Sequence, residues 1–286
     1  MSVPVTLRPL LAPIARGLAQ CALAVVLFTP TLAAQHDNTP GWPLHSSAPD
    51  HAVPDATGAM PPVVVPDAEE SCLLWSIDKM PGTVSAADLK VPGKAKGEYH
   101  KACSDLKDKK LASAEDHVRK AVQIYPQYAA AWALLGQVLA AGDKVDEARD
   151  ACSQASGADA GYAPAYLCLA DIAAQNNDWH LTLNLADRSL ALAPQQNIYG
   201  HFYSAVAQFH LEQLPEAQND ALKTINDDHS HRLPQVRLLL AQIYGAQHDL
   251  YGVSVELRAY LKAVPNAPDA DAVRKRLAEV EAQISK

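Results

Sequence analysis

Large apolar side chains and small ones return in the same order roughly every thirty-four positions along this chain. From Ala129, the residues Trp132, Leu135, Gly136 and Leu139 fall at i, i+3, i+4 and i+7, followed by Ala148, Cys152 and Ala155 at i, i+4 and i+7. From Ala163 the order recurs as Tyr166, Leu169, Ala170 and Ala173, then Ala186, Ser189, Leu190 and Pro194. That spacing puts each set on one face of a helix. Two helices per unit, repeated at a fixed period, predict an all-α solenoid in which each unit hides its apolar face only against its neighbours.

Around these two clear copies the pattern predicts about five helix-turn-helix pairs, at 95–128, 129–162, 163–196, 197–233 and 234–267. The first carries Tyr99, Ala102 and Leu106, then Leu111, Ala114, Val118, Ala121 and Ile124, and stops at Pro126. In the fourth, Phe202, Ala205, Val206 and Phe209 precede Leu214, Ala217, Ala221 and Ile225, with an inter-helix turn read as one residue short. Asn226 to Leu233 forms a longer exit loop. The fifth runs from Pro234 through Leu238, Leu240, Ala241 and Tyr244 to Leu250, Val253, Leu257 and Leu261, ending at Pro265. Prolines suit such boundaries because they stop one helix and can open the next. A final helix in 268–286 carries Val273, Leu277, Val280 and Ile284 on one stripe and charge elsewhere, the pattern of a capping helix.

The N-terminal region reads differently. Residues 1–34 combine Arg8 and Arg16, an apolar run from Leu18 to Phe28, and small residues ending at Ala34, the plan of a cleaved export signal. Left uncleaved, this segment would hold the protein close to a membrane. Residues 35–70 contain seven prolines and read as a disordered linker. Residues 71–94 are expected to pack on the first helix of the array.

The formal net charge of -8 argues against nucleic-acid binding, which needs a basic stripe; Arg274, Lys275 and Arg276 make only a short basic run. Four cysteines follow residue 34, at 72, 103, 152 and 168. In an exported chain Cys72 with Cys103, and Cys152 with Cys168, could pair. Cysteine also serves as a small buried apolar residue, so the sequence leaves both readings open. The cluster Asp227-Asp228-His229-Ser230-His231 holds potential metal ligands, yet such residues also build ordinary turns. No metal or cofactor is assigned. The motifs of zinc proteases, serine hydrolases and nucleotide-binding loops are missing, and no enzymatic activity is expected.

The residues Trp132-x2-Leu135-Gly136-x2-Leu139, with Ala148, Ala155, Pro194 and Pro265, resemble the tetratricopeptide repeat superfamily across roughly residues 95–267. Val253 stands where an alanine is usual, and Gly252 should weaken its helix by about 1 kcal/mol. The resemblance implies a right-handed superhelix whose first helices line a concave groove. That groove would present Tyr99 and Cys103, Ala133 and Gln137, Leu167 and Asp171, Tyr203, Ala207 and His210, and Leu238 and Gln242. It lacks the lysine, arginine and asparagine that would clamp a terminal carboxylate. The expected function is a non-catalytic protein–protein interaction scaffold of the cell envelope, periplasmic or secreted, binding a peptide or partner protein. Two other readings are a structural subunit of an envelope-assembly complex, and a metal- or small-ligand-binding protein using residues 227–231 and the histidines of the linker.

Overall fold

The computed structural model describes residue 72 and residues 90–195, 197–229 and 231–285, all within one structural unit. The expected export signal, the linker and most of the segment 71–94 lie outside the described residues. Within them the chain forms eleven helices and no strand. The first helices of successive pairs are α1 (Gly93–Lys107), α3 (Ala129–Ala141), α5 (Ala163–Gln175), α7 (Ile198–His210) and α9 (Gln235–Ala246). Their partners are α2 (Leu111–Ile124), α4 (Val145–Ala158), α6 (Trp179–Leu192), α8 (Leu214–Asp227) and α10 (Leu250–Ala263), and α11 (Ala270–Ile284) closes the array.

From the second pair on, each first helix packs on its own partner and on the second helix of the preceding pair. Contacts also run directly from α3 to α5, from α5 to α7 and from α7 to α9, whereas consecutive second helices share no comparable contact. The result is two layers, with the first helices forming one of them. Alanine makes this possible: Ala114, Ala148, Ala186 and Ala217 on second helices, and Ala102, Ala170 and Ala205 on first helices, are wholly enclosed. Larger residues fill what remains, among them Leu134, Leu135, Leu139 and Leu239. At the far end, Val273 and Val280 of α11 seal α10 while Ile284 stays 45% exposed.

All five first helices end in the same way. Lys109, Asp143, Asn177, Glu212 and His248 adopt positive φ of 58–62°. The amide of each following residue reaches the carbonyl five positions back, as in Lys144 N–H to Leu139 O at 2.9 Å and Gln213 N–H to Gln208 O at 2.9 Å. This left-handed closure satisfies carbonyls that the helix end leaves open. It also makes every inter-helix turn three residues long, including 211–213 in the fourth pair. The short turn expected there is therefore corrected. The irregularity lies earlier: five residues, 193–197, join α6 to α7, where four join α2 to α3 and α4 to α5. That extra residue shifts everything after it by one.

Both cysteine pairs are disulfides, Cys72–Cys103 and Cys152–Cys168. The second joins α4 to α5 across two pairs, and it explains Gly136. A Cβ on Gly136 would collide with Cys152 Sγ and stand 2.7 Å from Cys168 Sγ. Gly252 has a comparable reason to exist, since a Cβ there would lie 2.8 Å from the Tyr244 ring of α9. Its low helix propensity is the counterpart of a close helix–helix approach.

Candidate functional site

The row expected to line the groove follows from the register of the first helices. α3, α5 and α7 each have thirteen residues, so Ala133, Leu167 and Phe202 are equivalent, as are Gln137, Asp171 and Val206. Aligning the turns adds Tyr99 and Cys103 on α1 and Leu238 and Gln242 on α9. The expected positions Tyr203 and Ala207 are thus one residue off the row: they lie thirty-six residues beyond Leu167 and Asp171, whereas the single extra residue in 193–197 makes the interval thirty-five. Phe202 and Val206 take their place. His201 likewise stands where Trp132 and Tyr166 stand in earlier pairs, a place the sequence pattern had given to Phe202.

Tyr203 instead turns toward α5, where its hydroxyl donates to Asp171 Oδ1 at 2.8 Å. Gln175 Nε2 donates to Asp171 Oδ2 at 2.8 Å. Leu167, Asp171 and Tyr203 all have 0% exposure. They set the spacing of α5 and α7 and offer no surface to a partner, which corrects their assignment as contact residues. Tyr99 is also buried, with its ring 5.4 Å from that of Tyr128. Burial pushes the Asp171 carboxyl up to about 7, against the lowering effect of its two hydrogen bonds. His210 closes α7 half-buried, stacked on Trp179 at 3.8 Å and lying edge-on to Phe209. Burial lowers its pKa, so the neutral imidazole is favoured. Gln137, Leu238 and Gln242 remain partly exposed. Across the five rungs Asp171 is the only residue with an ionisable carboxylate or amine, and it is buried.

The position immediately before the first residue of each rung carries a feature that the apolar pattern concealed. In the second and third pairs it holds an aromatic that donates to the preceding loop, Trp132 Nε1 to Pro126 O at 2.8 Å and Tyr166 Oη to Ala160 O at 3.0 Å. In the other three it holds a charged or titratable residue, bonded to helix-two residues nineteen positions later. These pairs are Glu98 with His117 at 2.7 Å, His201 with Asp220 at 2.9 Å, and Arg237 with Glu256 at 3.0 Å. Lys101, then His117, hold Glu98 down to about 2. Burial pushes Asp220 up, but hydrogen bonds from His201 and Ser204 outweigh it and leave its pKa lowered. Complementary residues at a nineteen-residue interval were the signal available in the sequence.

Within the cluster 227–231, the Asp228 side chain is engaged by the backbone. Asp228 is buried, and its carboxylate accepts from Arg232 N–H at 2.9 Å and Leu233 N–H at 2.8 Å, closing the loop between α8 and α9. Among the described residues no three potential ligands converge on a metal site. No described helix is long and apolar enough to cross a membrane.

Residues 105–172 match the family model for the tetratricopeptide repeat. No curated protein matches the chain. Among solved structures, a thermophilic TPR protein of Thermus thermophilus is similar with a TM-score of 0.54 at 14% identity, over 66% of this chain and 99% of that one. The Cut9–Hcn1 hetero-tetramer of APC/C gives a TM-score of 0.61 at 19% identity, over 69% of this chain and 38% of that one. PilW, a type IV pilus biogenesis factor, gives 0.57 at 14% identity, over 68% of this chain and 93% of that one. Residues 105–172 match the tetratricopeptide repeat by sequence, and the array as a whole shares its fold with these solved structures.

Proposed function

We infer that this protein is a non-catalytic interaction scaffold of the cell envelope that receives an extended peptide or partner segment along the first-helix layer. The observation that carries this reading is the chemistry of the row. Of its ten residues only Gln137, Leu238 and Gln242 are partly exposed, and these uncharged amide and aliphatic groups suit an uncharged segment. Stacked helices hold that surface before any partner arrives, so the partner alone bears most of the ordering cost. An exported location is supported by two intramolecular disulfides, which persist in oxidising compartments and are rare in the cytosol.

Cross-linking in cells followed by purification tests the reading. A protein or peptide retained by the wild type and lost with Leu238→Glu and Gln242→Glu supports it. Equal retention by both would move binding off the row. Fractionation, with cysteine labelling before and after reduction, tests the compartment.

A further inference from the structure

Charge along the array is strongly polarised. Residues 90–110 hold seven lysines, no arginine and three carboxylates, whereas residues 111–286 hold fourteen basic residues against twenty-one acidic ones. An acidic protein thus begins its array with a basic helix, a feature hidden by the overall charge. The residues α1 buries are Ala95, Tyr99, Ala102 and Cys103. Lys94, His100, Lys101, Ser104 and Lys107 are exposed, and among the described helices only α2 packs on α1 at length. Lys109 and Lys110 extend the basic surface into the following turn. Lys101 pairs with Glu98 and Lys110 with Asp108, while Lys90, Lys94, Lys96 and Lys109 meet no carboxylate among the described residues.

We propose that this end of the array docks on an anionic phospholipid surface. The choice of lipid over an acidic protein rests on the kind of cation and its arrangement. Every basic residue here is lysine, a compact point charge that does not provide the planar fork of arginine for fixed, bidentate recognition of a carboxylate. The lysines are spaced along α1 and the turns that flank it, from Lys90 to Lys110, a dispersed set of charges that suits mobile headgroups. Each lysine near such a surface contributes additively and without fixed geometry. The polypeptide entering the array is held to the same helix by Cys72–Cys103. Upstream of it lies the apolar run Leu18–Phe28, so any membrane attachment made by that run would lead into the basic end. One weak apolar contact and one polybasic patch together give stable association where either alone is marginal. The inference is separate from the partner-binding row and survives if that assignment fails.

Co-sedimentation of the full chain with vesicles tests it, comparing phosphatidylglycerol-rich with pure phosphatidylcholine vesicles. Binding should favour the anionic vesicles and weaken steeply as salt is raised. Replacing Lys90, Lys94 and Lys109 with glutamate should weaken binding to anionic vesicles by at least about 100-fold. A control replacing Lys120, Lys262 and Lys275 with glutamate should bind like the wild type, and circular dichroism should match in all three. Equal binding to both vesicle types, or equal loss in both variants, overturns the proposal. Failure on vesicles with lysine-dependent binding to polyglutamate would overturn it in favour of an acidic protein partner.

Discussion

At Asp171 a carboxyl group lies wholly inside the layer of first helices, with its pKa raised to about 7 by burial. A folded-state pKa above the unfolded value of about 3.9 means that folding favours the protonated form. The stabilising contribution is therefore complete below pH ~4 and disappears as pH rises through about 7. Urea unfolding at pH 4, 6 and 8 should show the wild type losing stability across that window. Asp171→Asn keeps an acceptor for Tyr203 but cannot ionise, so its profile should be flatter and the variant should exceed the wild type at pH 8. A second residue-scale test concerns Gly136, where a Cβ would strike the sulfurs of Cys152 and Cys168. Gly136→Ala should cost about 1–3 kcal/mol, the usual penalty for overpacking a core. Much of that cost should vanish when both cysteines are already alanine, because the obstacle is the disulfide itself. Sequence alone placed Gly136 in the repeat motif but did not show what its missing side chain leaves room for. Either state of Cys152 and Cys168, bonded or free, fits the same small apolar niche.

At the scale of the helix pair, the sequence revealed most of the plan because alanine, glycine and aromatic residues recur in step. It failed where the step changed. One additional residue in 193–197 moved α7, and adjacent aromatics at Phe202 and Tyr203 satisfied the apolar pattern in either register. The three polar pairs were missed for a related reason: a search for apolar periodicity treats Glu98, His201 and Arg237 as interruptions. In the structure they replace an aromatic ring with a hydrogen-bonded pair at the same place. The turns were legible only as polar gaps, yet each carries a non-glycine residue at positive φ. Such a residue costs roughly 1–2 kcal/mol in the left-handed region, a penalty glycine avoids. Glu212, exposed and outside every ion pair among the described residues, is the cleanest test. Glu212→Gly should raise stability by about 1 kcal/mol, read as a higher urea midpoint with an unchanged slope. Glu212→Ala should give no gain, since alanine keeps the Cβ.

Over the whole molecule, stability in a stacked array is close to a sum of pair stabilities and nearest-neighbour interfaces. The Cys152–Cys168 bond acts on one such interface, between the second pair and the third. It closes a loop over a separation of sixteen residues, for which chain entropy predicts about 3 kcal/mol. Removing it with Cys152→Ala and Cys168→Ala should therefore do more than lower the unfolding midpoint by that amount. Coupling between the two sides of the junction should weaken, because α4 and α5 would then be held only by packing. Amide hydrogen exchange should show α1 to α4 opening separately from α5 to α11 in the double variant, where the oxidised wild type opens them together. The remaining disulfide, Cys72–Cys103, ties down α1, away from this junction, and should leave that division unchanged when it is removed instead. Identical exchange patterns in the two double variants would show that the bond adds stability without linking the halves of the array.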